Sequence, residues 1–281
     1  MILINRTPLR FYNHTHQISF HHIACETLNF HQVCVFPWNI FVLVTSASGK
    51  QEDYIESRAS GEHLRLEKDH FYFIPCGLSA EYLLTTEITF LTFHFNLELY
   101  PGMDLFSGME HCLTGCDPKI TAHFRRIFDD TNAHRSVCRF KSALMDFCIC
   151  HWPDNNQAKL ERSSTYESIF HYIQENLSAE LSVGELADHC RMSKEAFSRK
   201  FHKDLGETPK HFLQRLLLRR TMLLLTTPEL SVKETAGILK FHSEFYLSRF
   251  FRKQTGMPPS EYQKKFRQLT FHTNSAVSNK E

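Results

Sequence analysis

The sequence predicts an α+β chain: a β-barrel or sandwich in front, a helical hairpin behind it, then an all-α domain of two helix-turn-helix units joined by a helix. Three observations predict it. Short aromatic and β-branched runs fill residues 18 to about 100, the hydrophobic period then lengthens from two to that of a helix, and a repeat of about fifty residues occupies the C-terminal end.

A chain of 281 residues exceeds what one ordinary core organises, so two domains are expected. Hydrophobic residues at 42% and charged residues at 22% fit a globular protein and exclude disorder and collagen. Met1 to Gln17 lacks the apolar run of a signal peptide. The richest apolar stretch, Phe212 to Leu225, is interrupted by Arg215, Arg219 and Arg220, so neither secretion nor membrane insertion is expected. The nine cysteines are odd in number, and only Cys112/Cys116 and Cys148/Cys150 stand close, with no C-x-x-C pair. A reducing, cytoplasmic location is the expectation.

Five stretches carry the strand reading: Phe41 to Thr45, His63 to Leu66, Phe71 to Pro75, Glu81 to Thr85 and Thr89 to Phe95. Many short strands without intervening helices imply a barrel or sandwich. Helical spacing follows, at Ile120, Phe124, Ile127 and Phe128 and again at Val137, Phe140, Leu144, Phe147 and Cys148, with a turn at Asp129 to His134 and an end at Trp152-Pro153. Such a hairpin can cover its own barrel or pair with a second copy; residues 111–152 are assigned to dimerisation. Residues 153–164 are polar, have no core face and read as a linker. From Leu160 onward there are 19 Lys/Arg against 14 Asp/Glu, a charge of +5, whereas residues 1–159 carry −4. The basic half suits an anionic partner.

The repeat appears when Leu181-Ser-Val-Gly-Glu-Leu-Ala187 is laid over Leu230-Ser-Val-Lys-Glu-Thr-Ala236, and Ser193, Phe197, Arg199, Phe201, Gly206 and Pro209 over Ser243, Leu247, Arg249, Phe251, Gly256 and Pro259. Ser182 and Ser231 stand three residues before Glu185 and Glu234, a capping box that opens a helix. Gly206 and Gly256 close the second helix of each unit. One face of that helix is core, Phe197, Phe201 and Leu205 in one copy and Leu247, Phe250 and Phe251 in the other. The opposite face carries Glu195, Arg199 and His202, then Phe245, Arg249 and Arg252. Arginine can pair with both acceptors of a guanine in the major groove, so Arg199 and Arg249 are the expected base readers; Glu195 could accept from cytosine, Ser198 is permissive, and Phe245 could pack on a thymine methyl. Lys194, Lys200, Lys203 and Lys253 suit phosphates.

These residues, from about Tyr166 to Phe266, resemble the AraC/XylS transcription regulators: the Leu-Ala followed by Ser-x-x-x-Phe-Ser-Arg-x-Phe, the Phe241-x-Ser-x-Phe-Tyr-Leu-Ser-Arg-Phe-Phe, and Gly256-Met-Pro-Pro-Ser-Glu-Tyr262. The resemblance implies seven helices, a linking helix from about Pro209 to Leu225, double-stranded DNA and RNA polymerase as partners, a homodimer, and an activator's role. Its base-contacting positions fall on Glu195, Ser198 and Arg199, and on Glu244, Phe245, Ser248 and Arg249. Two turn positions where the family usually has glycine are Arg191 and Lys240, at a cost of about 1 kcal/mol each for a left-handed backbone. Leu217 and Thr221 replace the usual arginine and alanine of the linking helix.

The front half resembles the cupin barrel that such regulators use to bind a small effector, commonly a sugar or related metabolite. The stretch from Leu66 to Gly77 followed by Glu81-Tyr82 resembles the second cupin motif, but Ala80 stands where a metal-binding histidine is expected. No metal, cofactor or catalytic residue is assigned, and the chain is read as non-enzymatic; His14/His16 and His21/His22 lack a carboxylate at ligand spacing. Along the strand at 90–95, Leu91, Phe93 and Phe95 form an apolar face, whereas Phe90, Thr92 and His94 form a mixed one that suits a cavity. The resemblance to the family's pockets implies Ser48, Tyr82, Phe90 and Thr92 as effector residues, and the mixed strand face adds His94. The resulting division is a sensing domain at 1–110, the hairpin at 111–152, the linker at 153–164, a DNA-binding domain at 165–270 and a tail at 271–281. Control by a protein partner and a metal-dependent cupin enzyme with a DNA-binding appendage are the alternatives.

Overall fold

The computed structural model describes residues 17–27, 29–128, 133–152, 162–227 and 229–264. His14, His16, the first four residues of the hairpin turn, most of the expected linker and the tail lie outside the described residues. Ten strands precede the helices: β1 Gln17–Glu26, β2 Phe30–Val35, β3 Asn39–Ala47, β4 Tyr54–Ser57, β5 His63–Arg65, β6 Phe71–Ile74, β7 Ser79–Leu84, β8 Ile88–Tyr100, β9 Met103–Asp104 and β10 Leu113–Gly115. They form a six-stranded sheet in the order β1-β8-β3-β6-β10, with β9 on β8, facing a four-stranded sheet in the order β2-β7-β4-β5. Together they make a curled half-barrel.

The two faces of the larger sheet have different tasks. Phe41, Leu43, Phe71, Phe73, Leu91, Phe93 and Phe95 pack outward onto the hairpin helices α1, Pro118–Phe128, and α2, Ala133–Cys150. Ring centroids lie 4.6 Å apart for Phe41 and Phe124 and 4.5 Å for Phe93 and Phe140. Ile40, Val42, Val44, Tyr72, Ile74 and Phe90 pack inward with Ile55, Ala80, Tyr82 and Leu84 of the smaller sheet. A sheet covered on both sides has no polar face, which is why β6 reads as a continuous apolar run.

Two expected boundaries move. β10 pairs with β6, so the half-barrel extends past residue 110. The apolar face of the hairpin, Phe124, Phe140, Leu144 and Phe147, is consumed by its own barrel, so that face is not available to a second copy. Burying these side chains in the same chain gives each of them about 1.5–3 kcal/mol without the entropic cost of association.

After a 3₁₀ turn at Ser164–Tyr166 come α3 Glu167–Asn176, α4 Val183–His189, α5 Lys194–Leu205, α6 Pro209–Thr226, α7 Val232–Ile238, α8 Glu244–Thr255 and a last helix, α9, over 259–264. These are the seven expected helices, entered earlier than expected: 162–163 are already helical and Ser163 is fully buried. Pro209 opens α6, and the Thr208 hydroxyl accepts from the His211 amide at 3.2 Å. Leu217 and Thr221 are both buried, the Thr221 hydroxyl donating to the Leu217 carbonyl at 2.7 Å; these departures from the family pattern serve the core. Among the described residues no helix is long and apolar enough to cross a membrane.

Candidate nucleic-acid interface

Each helix-turn-helix unit is built by the same local bonds. In the first, the Ser182 hydroxyl accepts from the Glu185 amide at 3.3 Å while the Glu185 carboxylate accepts from the Ser182 amide at 2.8 Å. In the second, Ser231 and Glu234 repeat both bonds at 3.1 and 2.7 Å. The hydrogen bonds from Ser182 and Ser231 hold both carboxyls below the usual carboxylate range. The turns repeat too. Met192 donates to the Ala187 carbonyl and Phe241 to that of Ala236, each at 2.9 Å. Arg191 and Lys240 both take φ of 53°, the left-handed conformation their non-glycine identity made costly. Ser193 and Ser243 cap α5 and α8, and Gly206 and Gly256 end them at φ of 81° and 79°.

These shared bonds seat Phe197, Phe201 and Leu205 of α5, and Leu247 and Phe251 of α8, in the core. Phe250 departs from the expectation: it is half-buried against Phe241, at 5.5 Å between rings, because one turn of helix cannot turn both Phe250 and Phe251 fully inward.

On the opposite face Lys194, Glu195, Arg199 and His202 of α5, and Glu244, Phe245, Arg249 and Arg252 of α8, are exposed; Ser198 and Ser248 are half-buried at the edge of the same face. Neither Arg199 nor Arg249 has an ion pair or hydrogen bond among the described residues, so each guanidinium keeps its donors for an outside partner. Lys200 does not: its ammonium donates to Asp204 at 2.7 Å and lies 4.9 Å over the Tyr166 ring, which ties it back to its own domain. Half of its side chain stays exposed, so a phosphate there would have to compete with this surface pair. Tyr246 is a residue the sequence reading missed. It is 59% exposed beside Phe245, itself 78% exposed. Two adjacent aromatics on one helix invite the assumption that one faces inward, but Leu247 and Phe251 already fill the core here. The pair forms an apolar spot on an otherwise charged surface.

The expected effector residues divide. Tyr82, Phe90 and Thr92 are buried and His94 is half-buried, all on the side of the larger sheet that faces the smaller one or directly opposite it. His94 stacks on Trp38 at 5.6 Å, Trp38 on Phe36 at 5.9 Å, and Phe36 meets Tyr82 edge-on at 5.7 Å. The Tyr82 hydroxyl is buried with no hydrogen-bond partner among the described residues, and burial pushes its pKa well above the usual value. Ser48 does not join them. A bulge between Val44 and Ser46 breaks the alternation of β3, and Ser48 falls beyond its end, exposed in the following turn, its amide bonded to the Glu87 carbonyl at 3.2 Å. No group of three or more His, Cys, Asp or Glu placed to hold a metal ion occurs among the described residues.

A family model described as a helix-turn-helix domain matches residues 186–265. The MmsAB operon regulatory protein of Pseudomonas aeruginosa is 32% identical over 109 residues, 38% of this chain and 35% of that protein. The HTH-type transcriptional regulator AlkR of Acinetobacter baylyi is 35% identical over 81 residues, 29% of this chain and 26% of that protein. The chain thus spans about a quarter to a third of the length of these relatives. Among solved structures, a ligand-free single-residue variant of ToxT of Vibrio cholerae superposes with a TM-score of 0.56 at 11% identity, covering 89% of this chain and 97% of that one. Wild-type ToxT bound to an unsaturated fatty acid does so with a TM-score of 0.53 at 10% identity, covering 90% and 96%. At this identity the likeness is one of fold: a half-barrel followed by the paired helical units.

Proposed function

We propose that the chain is an AraC-type, sequence-specific DNA-binding transcription regulator, an activator, whose half-barrel binds a small-molecule effector. One observation carries the DNA-reading part: two helices built by the same bonds turn Arg199 and Arg249 outward at equivalent positions, with no partner in the chain among the described residues. Arg199 and Arg249 read guanines, Phe245 and Tyr246 meet thymine methyls or sugars, and Lys194, Lys203 and Lys253 contact phosphates. RNA polymerase and a second copy of the chain are the further partners this role entails, the second copy docking elsewhere than on the buried face of α1 and α2. A duplex selected by the full chain from random sequence tests this. Affinity should fall steeply with salt. Tight binding by the double variant Arg199→Ala/Arg249→Ala at the selected site would sink the assignment.

For the effector, the buried Tyr82 hydroxyl without a partner supports a ligand that supplies one. The surroundings, Phe36, Trp38, Phe90 and His94, are aromatic, and Thr92 adds a hydroxyl. A molecule with an apolar face and a hydroxyl or carboxyl end suits this lining better than one polar all round. Among sugars that favours a derivative able to stack on Trp38. ToxT with its bound fatty acid is a precedent in fold for the acid alternative. A thermal-shift screen of sugars, aromatic acids and fatty acids reads the outcome, since a ligand of the folded state raises its melting temperature. The shift should vanish in Tyr82→Phe.

A further inference from the structure

The linking helix α6 is fastened to the half-barrel at one spot. Glu98, on β8, pairs through one carboxylate oxygen with Arg219 of α6, and through the other accepts the Gly102 amide at 3.1 Å. The pair is mostly out of solvent, its side chains 16% and 15% exposed. The Gly102 carbonyl accepts from Arg215 at 3.2 Å, and Arg215 is oriented from behind by Glu207 at 2.8 Å. Gly102 itself sits at φ of +79°, and a Cβ there would collide with Leu216. Residues 215, 216 and 219 share one face of a helix, so the β8–β9 turn grips a single stripe of α6 by charge, backbone and shape at once.

The turn that does the gripping is braced from within. The buried Asp104 carboxylate, on β9, accepts from the Asn39 and Asn96 amides and from the backbone of Leu97 and Phe106, all at 2.9–3.0 Å. One continuous strand, β8, carries Phe90, Thr92 and His94 at one end and Glu98 at the other. Both helix-turn-helix units hang from the gripped helix, α5 ending just before it and α7 starting just after.

We infer that Glu98 and Gly102 are positioning residues for DNA reading: by clamping Arg215, Leu216 and Arg219 they let the half-barrel set the bend and pose of α6, and with it the spacing of the two recognition helices. The inference rests on the DNA-reading role proposed above. A mostly buried ion pair adds little net stability but strongly prefers one geometry, and losing either partner strands the other charge.

The test uses the full chain, its selected duplex, and versions with one base pair inserted or removed between the segments read by the two units. The parent should prefer the selected spacing by about tenfold, a typical coupling. Glu98→Arg and Arg219→Glu should each lose most of that preference, and the double swap, which restores the ion pair but not the acceptor for the Gly102 amide, should regain part of it. Gly102→Ala should act like the single reversals, by wedging Leu216 away. Amide exchange, measured without DNA, should rise in the β8–β9 turn and in α6 together in the single variants and fall back in the double. Single variants that keep the spacing preference, or a double swap no better than they are, overturn the clamp. If no variant and not the parent binds any duplex, the DNA reading fails by itself. The clamp is then judged by exchange alone: joint loosening restored by the swap supports it, and independent loosening overturns it.

Discussion

The two helix-turn-helix units share a scaffold and differ in what they show to the outside. Their capping boxes, left-handed turns and glycine stops coincide bond by bond, whereas their outward faces have diverged to Glu195, Arg199 and His202 in one and Phe245, Tyr246, Arg249 and Arg252 in the other. Local backbone chemistry tolerates few solutions and was kept. The exposed face answers only to its partner, so the charged unit and the aromatic unit should read different bases.

The largest effect tests the shared part. Phe201 and Phe251 occupy the same place in the two cores and both have no exposed surface. Phe201→Ala and Phe251→Ala should each cost about 3–5 kcal/mol in urea unfolding. A large loss in one unit and a small one in the other would show that the cores are not equivalent. Next come the faces. Arg199→Ala and Arg249→Ala should each weaken binding by about 1–3 kcal/mol at one or two defined base pairs and leave unfolding unchanged. Phe245→Ala should abolish the preference for thymine over uracil in the segment read by the second unit. The equivalent face of the first unit, with no phenylalanine, tyrosine or tryptophan, should show no such preference.

How much of this was legible follows from how local each signal is. The capping boxes, the stops at Gly206 and Gly256 and the outward arginines lie within a few residues of one another in sequence, so the pattern gives them directly. The half-barrel depends on partners far along the chain. β2 alternates in exposure, His31 and Val33 outside and Cys34 inside, but its residues do not alternate in polarity, so no strand pattern shows; β4 and β10 have four and three residues. The division of β8 into a face for the hairpin and a face for the interior was readable from its period of two. Ser48 came from the family resemblance alone, which carries no information on the bulge between Val44 and Ser46 that ends the alternation of β3 before it. The grip of Glu98 on Arg219 spans more than a hundred residues and leaves no local trace at all.

The caps come next in size. Ser182→Ala and Ser231→Ala should each cost about 1 kcal/mol, and nearly the same amount, because each serine closes the same reciprocal pair. The two boxes also share a pH dependence. Both glutamates have depressed pKa values in the folded state, so their contribution is present at neutral pH and is lost as pH falls through a value below the ordinary 4.3 or so. Unfolding followed from pH 6 to pH 3 should show an acid limb that shrinks in Glu185→Gln and again in the double variant with Glu234→Gln.

The smallest effect is the most discriminating between scaffold and face, because it concerns residues that belong to both. Arg191 and Lys240 hold the same left-handed angle at the turns and are exposed. Glycine would relieve about 1 kcal/mol of strain at each, offset in part by the extra freedom it gives the unfolded chain, so Arg191→Gly and Lys240→Gly should stabilise by up to about 1 kcal/mol. If the cations are kept because they touch phosphate, the same variants should bind DNA more weakly for every sequence alike and lower the salt dependence by about one phosphate contact each. Stabilisation without loss of affinity would mean that the turns tolerate the strain and the cations have no part in binding. A loss at one turn only would extend the divergence of the two units from their recognition helices to the turns that aim them.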